Sequence, residues 1–137
     1  MPHRTSVEAL IRAYYAAFNT GDAEGMLALL TDDVVHDINQ GGREAGVQAF
    51  RTFMTRMNAH YKEELRDITV MMDAEGRRAA AEFTVHGTYL ATDEGLPEAS
   101  GQTYVLPAGA FFEVREGRIA RVTNYYNLAD WVAQVGG

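Results

Sequence analysis

A carboxylate and a phenol make a minimal proton-transfer pair. The carboxylate takes a proton, and the phenol donates a hydrogen bond to the oxygen on which charge develops. Asp37 and Tyr14 are candidates for such a pair. Asp37 follows the short run Val34-Val35-His36, wedged between helical patterns. Tyr14 lies in Arg12-Ala13-Tyr14-Tyr15-Ala16-Ala17-Phe18-Asn19. In an apolar cavity the charged form of Asp37 would be desolvated, which raises its pKa toward a useful range. The plain structural readings are that Tyr14 is a core residue seeking a hydroxyl partner and that Asp37 is a turn former. Tyr15 is the alternative phenol, about a quarter-turn round the helix. His36 alternates to the face opposite Asp37, and replaces it as the base only if a bulge rotates the strand end.

The elements that must position these groups follow from apolar spacing. Thr5 and Glu8 have capping-box spacing and predict a helix start. Val7, Leu10, Ile11, Tyr14, Tyr15 and Phe18 then recur at helical intervals. Gly21 suits the end of that helix, and Asp22 caps a short second one that ends near Thr31. Val34 to Ile38 reads as a strand and Asn39 to Arg43 as a loop. A third helix runs from about Val47 to Tyr61, with Val47, Phe50, Met54, Met57 and Tyr61 as its buried stripe. The period then changes to two. Strands are expected over Leu65 to Met72, Ala79 to Tyr89, Thr103 to Val114 and Arg118 to Tyr126, before a short helix capped by Asn127. Helices come first and strands afterwards, so the class is α+β. A twisted sheet of this kind can curl round the helices and leave a cone that admits a ligand.

The bulk numbers narrow the chemistry. The 137 residues suit one domain, 1–137, with a real core. The net charge of −7 argues against a nucleic-acid surface and against an anionic membrane. There are no cysteines, and His3, His36, His60 and His86 show no metal-ligand spacing. Neither a signal peptide nor an apolar stretch of membrane-spanning length is evident, so the protein is expected in the cytoplasm.

The segment Tyr14-Tyr15-Ala16-Ala17-Phe18-Asn19-Thr20-Gly21-Asp22, followed by Met26-Leu27-Ala28-Leu29-Leu30-Thr31-Asp32-Asp33-Val34, resembles the NTF2-like superfamily. Within it the chain is similar to the ketosteroid isomerase and SnoaL-like polyketide cyclase branch, over essentially its whole length. The resemblance implies a cone of N-terminal helices packed in a strongly curved, mixed, mainly antiparallel sheet. It implies a helix-1 tyrosine, matched by Tyr14, that binds the substrate oxygen, and a basic aspartate closing the first strand, matched by Asp37. A second, protonated acid of the steroid isomerases falls at Gly109, two residues after Pro107, so that donor is missing. This points to altered chemistry on the same scaffold. The Asp-Arg-Asp arrangement of the limonene-epoxide hydrolase relatives is not found.

Asn124 and Tyr126, alternating with Val122 on the last strand, are expected to line the pocket and to bond a carbonyl or orient Asp37. Phe53, Phe83, Val105, Phe111 and Trp131 are the apolar candidates for a flat ligand's walls. The expected partner is a small apolar organic ligand, with no cofactor and no metal. The activity expected is proton transfer, as an isomerase or aldol cyclase. The alternative is a non-catalytic ligand-binding or dimerisation module. The resemblance also implies a homodimer, supported by the mixed face of Ala80, Glu82, Thr84, His86 and Thr88.

Overall fold

The computed structural model describes the backbone of residues 2–136 and the side chains of residues 6–136. Helix α1 (Pro2–Asn19) begins upstream of the start predicted at Thr5. Proline is suited to a first helical turn, because its missing N–H has no helical partner there. Val7, Ile11, Tyr14 and Tyr15 form the buried stripe of α1. Its end is a Schellman turn: the Gly21 amide bonds the Phe18 carbonyl and the Asp22 amide bonds that of Ala17. Gly21 takes φ +73°, which glycine adopts without a side-chain penalty. Asp22 then caps α2 (Ala23–Leu27) by accepting the Gly25 amide at 2.9 Å.

The first strand, β1 (Leu30–Asp37), starts earlier than expected and shortens α2. It is followed by a brief strand, β2 (Arg43–Ala45), in the segment expected to be loop and helix lead-in. Helix α3 (Val47–His60) precedes four long strands: β3 (Tyr61–Met72), β4 (Arg78–Tyr89), β5 (Thr103–Arg115) and β6 (Arg118–Tyr126). A last helix, α4 (Leu128–Gly136), buries Trp131 and Val135. No helix among the described residues is long and apolar enough to cross a membrane.

The six strands form one curled sheet in the order β2-β1-β6-β5-β4-β3. All neighbours are antiparallel except β1 and β6, which run parallel. The sheet is thus mixed and mainly antiparallel, as the resemblance implies. Breaks in register at Arg66/Thr69 on β3 and Glu113/Val114 on β5 help it to bend. The inner face closes on α1 and α3. Its parity is set by buried residues in register: Ala79 with Phe112, Ala81 with Ala110, Val85 with Leu106 and Gly87 with Tyr104. Phe112 meets Tyr14 and Tyr15 edge-on, with ring centres 5.8 and 6.0 Å apart. These contacts anchor both tyrosines of α1 to the sheet.

One joint fixes the end of α1 to the sheet edge. The Asn19 amide accepts the Leu65 N–H at 2.8 Å and donates to the Leu65 carbonyl at 2.9 Å. It completes backbone bonding on β3, which has a strand neighbour on one side only.

Candidate functional site

Between α1, α3 and the inner sheet face lies a cavity of about 710 Å³. Its walls include Phe18, Phe53, Met54, Leu65, Phe83 and Val85. Such an apolar chamber suits a small organic molecule. Tyr14 and Tyr15 both line it, so the two phenols are not alternatives. The Tyr15 hydroxyl is buried without a hydrogen-bond partner among the described residues. Burial raises the pKa of each phenol well above the ordinary tyrosine value, so both stay protonated and can donate.

Asn124 and Tyr126 reach the cavity from β6, as expected. Asn39 fixes the strand end beside them: its amide donates to the Tyr126 carbonyl at 2.9 Å and accepts the Tyr126 N–H at 3.3 Å. Asn124 also lies 3.4 Å from Nε2 of His36.

Asp37 does not join them. Val34 and His36 are buried on the inner face, so alternation puts Asp37 on the outer one. There Arg43 grips its carboxylate through Nε at 2.6 Å and Nη2 at 3.0 Å, and the Thr123 hydroxyl donates to it at 2.6 Å. The Arg43 hydrogen bond is the main cause of a pKa lowered to about 2, helped by the Thr123 bond. A carboxylate so stabilised is a weak base. The expectation of Asp37 at the pocket is thereby corrected.

His36 takes the inner place, opposite Val122, beyond a break in the register of β1 between Leu30 and Val35. Its ring packs against Phe50 and Phe53, each at 4.6 Å between centres, and its Nδ1 has no partner among the described residues. Desolvation lowers its pKa to about 4, so the imidazole is neutral at pH 7.

Three wall residues also move. Val105 and Phe111 project from the outer face, 51% and 49% exposed. Both fall between inward positions of β5. Trp131 is buried, but among Tyr61, Tyr89 and Tyr104 rather than at the cavity wall. Phe53 and Phe83 are lining residues, as expected.

The cavity also holds groups that sequence reasoning missed. Glu63 lines it from the start of β3, and the Tyr104 hydroxyl donates to its Oε2 at 2.5 Å. Burial pushes the Glu63 carboxyl above the ordinary glutamate range, and the Tyr104 bond offsets part of that rise. Asp93, only 8% exposed, comes from the loop after β4. It accepts from Arg56 Nη1 at 2.9 Å and from the Tyr61 hydroxyl at 2.8 Å, so its charge is compensated. The clue to Glu63 was its period-two spacing from Tyr61 and Leu65, hidden because the strand was expected to begin at Leu65.

The geometry can be set beside known proteins. The SnoaL-like domain family matches residues 11–122. The chain belongs to this family, within the NTF2-like superfamily. It is similar to a candidate polyketide cyclase from Xanthomonas campestris pv. campestris, with 60% identity and a TM-score of 0.94 over 96% of this chain and 98% of that one. A second candidate polyketide cyclase, from Pseudomonas putida, is 67% identical, with a TM-score of 0.91 over 92% of this chain and 95% of that one. An LEH-like epoxide hydrolase of M. tuberculosis shares the fold at 21% identity, with a TM-score of 0.73 over 98% of this chain and 88% of that one. No curated protein matches the chain.

Within this family frame, the missing acid of β5 can be placed. Gly109 pairs with Glu82 and Tyr125 and belongs to the outer parity, and a Cβ there would come within 3.1 Å of the Ala81 carbonyl. The adjacent inward positions are Ala108 and Ala110, so no carboxyl enters the cavity from this part of β5. The polar lining of the cavity includes the phenols of Tyr14, Tyr15 and Tyr126, the amides of Asn39 and Asn124, the Arg56 guanidinium and the carboxyls of Asp22, Glu63 and Asp93.

Proposed function

We propose that the protein binds a small, largely apolar carbonyl compound in this cavity and moves a proton on it without a cofactor. The observation that carries the reading is an apolar chamber lined by Tyr14, whose phenol burial keeps protonated and which makes no hydrogen bond among the described residues. Desolvation alone, with no hydrogen bond, sets the state of the Tyr14 phenol, whereas the Tyr15 hydroxyl is fully buried beside it. A ligand carbonyl supplies the missing acceptor. Proton removal beside a carbonyl requires a base and a donor to the enolate oxygen, and nothing else chemically. The outcome is double-bond migration or intramolecular aldol closure. The similarity to candidate polyketide cyclases favours the second.

The test is Tyr14→Phe, with β-tetralone as probe. Binding is expected to weaken by about tenfold, the loss of one hydrogen bond to a buried oxygen. The rate of α-proton exchange into heavy water is expected to fall further. Unchanged binding and exchange in Tyr14→Phe would reject the tyrosine's role. A non-catalytic ligand-binding module on the same fold is the rival reading, favoured by the outward Asp37 and by Ala108 and Ala110. It wins if the ketone binds and no exchange is accelerated.

A homodimer is proposed as well. Its support is the outer sheet face, where Met71, Val105, Phe111 and Tyr125 are each about half exposed.

A further inference from the structure

Glu63, Gly87 and Tyr104 stand in register across three neighbouring strands, β3, β4 and β5. All three belong to the inner face. Glu63 and Tyr104 are therefore two strands apart, roughly 10 Å between backbones. The Tyr104 ring bridges that gap by lying across Gly87. A Cβ on Gly87 would fall 2.3 Å from Tyr104 Cζ and 2.4 Å from its hydroxyl oxygen. No other residue type leaves that path open. The bridging hydroxyl ends on Oε2 of Glu63. Oε1 takes no hydrogen bond among the described residues.

We propose that Glu63 is the proton-transferring carboxyl of this cavity and that Tyr104, laid across Gly87, is its positioning residue. The assignment rests on reading the cavity as a carbonyl site. It goes beyond that reading by naming the base and the device that holds it.

Oε1 takes the proton from the carbon beside the carbonyl. The C–H electron pair becomes the enolate double bond, and the carbonyl π pair moves to oxygen, where a Tyr14 hydrogen bond receives it. The protonated Glu63 returns a proton to carbon and regains its charge; in heavy water its acidic proton first exchanges with solvent, so the proton returned is a deuteron. Atoms and electrons balance with no co-reactant.

The titratable groups that share the cavity with Glu63 from other elements are Tyr14 and Tyr15 on α1, Asp22 ahead of α2, Arg56 on α3, Asp93 in the loop after β4, and Tyr125 and Tyr126 on β6. Arg56 is engaged by Asp93, so it is not a dedicated counter-ion for Glu63. Burial raises the pKa of Glu63, which makes it a stronger base than an exposed glutamate. The Tyr104 bond works against that rise. Removing it is therefore expected to shift the pH-rate profile toward higher pH.

The test follows α-proton exchange of β-tetralone in heavy water, together with its binding, in four proteins. Glu63→Gln is expected to bind the ketone within about twofold of wild type and to lose at least about a hundredfold in exchange rate. Tyr104→Phe and Gly87→Ala are both expected to move the rising limb of kcat/KM to higher pH. Gly87→Ala removes no polar group, so its agreement with Tyr104→Phe isolates positioning from simple deletion. Exchange undiminished in Glu63→Gln overturns the assignment and leaves the carbonyl site standing. An unmoved pH profile in both other variants overturns the positioning role. If wild type does not bind the ketone, the carbonyl reading itself fails; if it binds without exchange, proton transfer fails, and Glu63 with it.

Discussion

On the outer face, the Asp37 carboxylate is held by Arg43 and Thr123, and this geometry stabilises its charge rather than its basicity. Its folded pKa of about 2 lies below the ordinary 3.8. A depressed carboxyl contributes stability above the ordinary value, and that contribution is lost as pH falls toward the folded one. Asp37→Asn is therefore expected to cost about 0.5–1 kcal/mol at pH 7, a modest sum because the Arg43 side of the pair is open to solvent. Urea titrations should show the gap between wild type and variant closing as pH falls from 3.8 toward 2. Ketone exchange by the variant should stay within about twofold of wild type. A large loss of exchange in a folded Asp37→Asn would return the acid to the mechanism. One step of strand parity separates the two roles. The sequence shows the alternation of Val34, Val35, His36 and Asp37 but does not say which member faces inward. Helix packing settles that, through the rings of Phe50 and Phe53 around His36.

The joint between α1 and β3 is an element-scale device built from one amide. Asn19 is exposed, but its amide bonds both backbone groups of buried Leu65. Asn19→Ala removes both bonds and leaves the Leu65 backbone exposed to partial desolvation. The expected cost is about 1–2 kcal/mol in unfolding free energy, with faster amide exchange at Leu65 than elsewhere on β3. Uniform acceleration along the whole strand would mean that the joint is not local. The same region shows what could be read from sequence and what could not. Helices α1 and α3 were legible, because their apolar residues recur at helical spacing and their ends carry turn residues. Strands β4, β5 and β6 were legible from period-two alternation. The start of β3 was not. Tyr61 fits the helical stripe of α3 as well as it fits a strand, and Lys62-Glu63-Glu64 reads as a solvated polar run. Only the pairing of Glu63 with Gly87 reveals that this run is the beginning of a strand and that its middle carboxyl faces the cavity. Tyr14, Asn124 and Tyr126 line the cavity, each in a segment whose apolar spacing the sequence shows. Val105 and Phe111 were misplaced because an apolar residue on a two-faced strand carries no label for inside or outside.

At the scale of the molecule, two opposing terms govern self-association. Each copy carries a formal charge of −7, so two copies repel. The outer sheet face attracts, because Met71, Val105, Phe111 and Tyr125 lose contact with water when a second copy covers them. Phe111 and Tyr125 already meet edge-on at 5.8 Å, giving the face a firm aromatic centre. The balance predicts an unusual salt response. Raising ionic strength shortens the screening length, to about 8 Å at physiological salt, and weakens the repulsion while leaving apolar contact intact. The dimer is therefore expected to tighten with added sodium chloride, whereas an interface held by ion pairs would loosen. Sedimentation velocity at micromolar concentration should give a dimer, with a larger dimer fraction at higher salt. Phe111→Glu should be monomeric at every salt concentration, since it buries a charge and adds to the repulsion. Because Phe111 points away from the cavity, that variant should bind β-tetralone within about twofold of wild type. A wild-type monomer across the salt series would reject the face as an interface. Ketone binding lost together with the dimer would show instead that the cavity depends on the second copy for its shape.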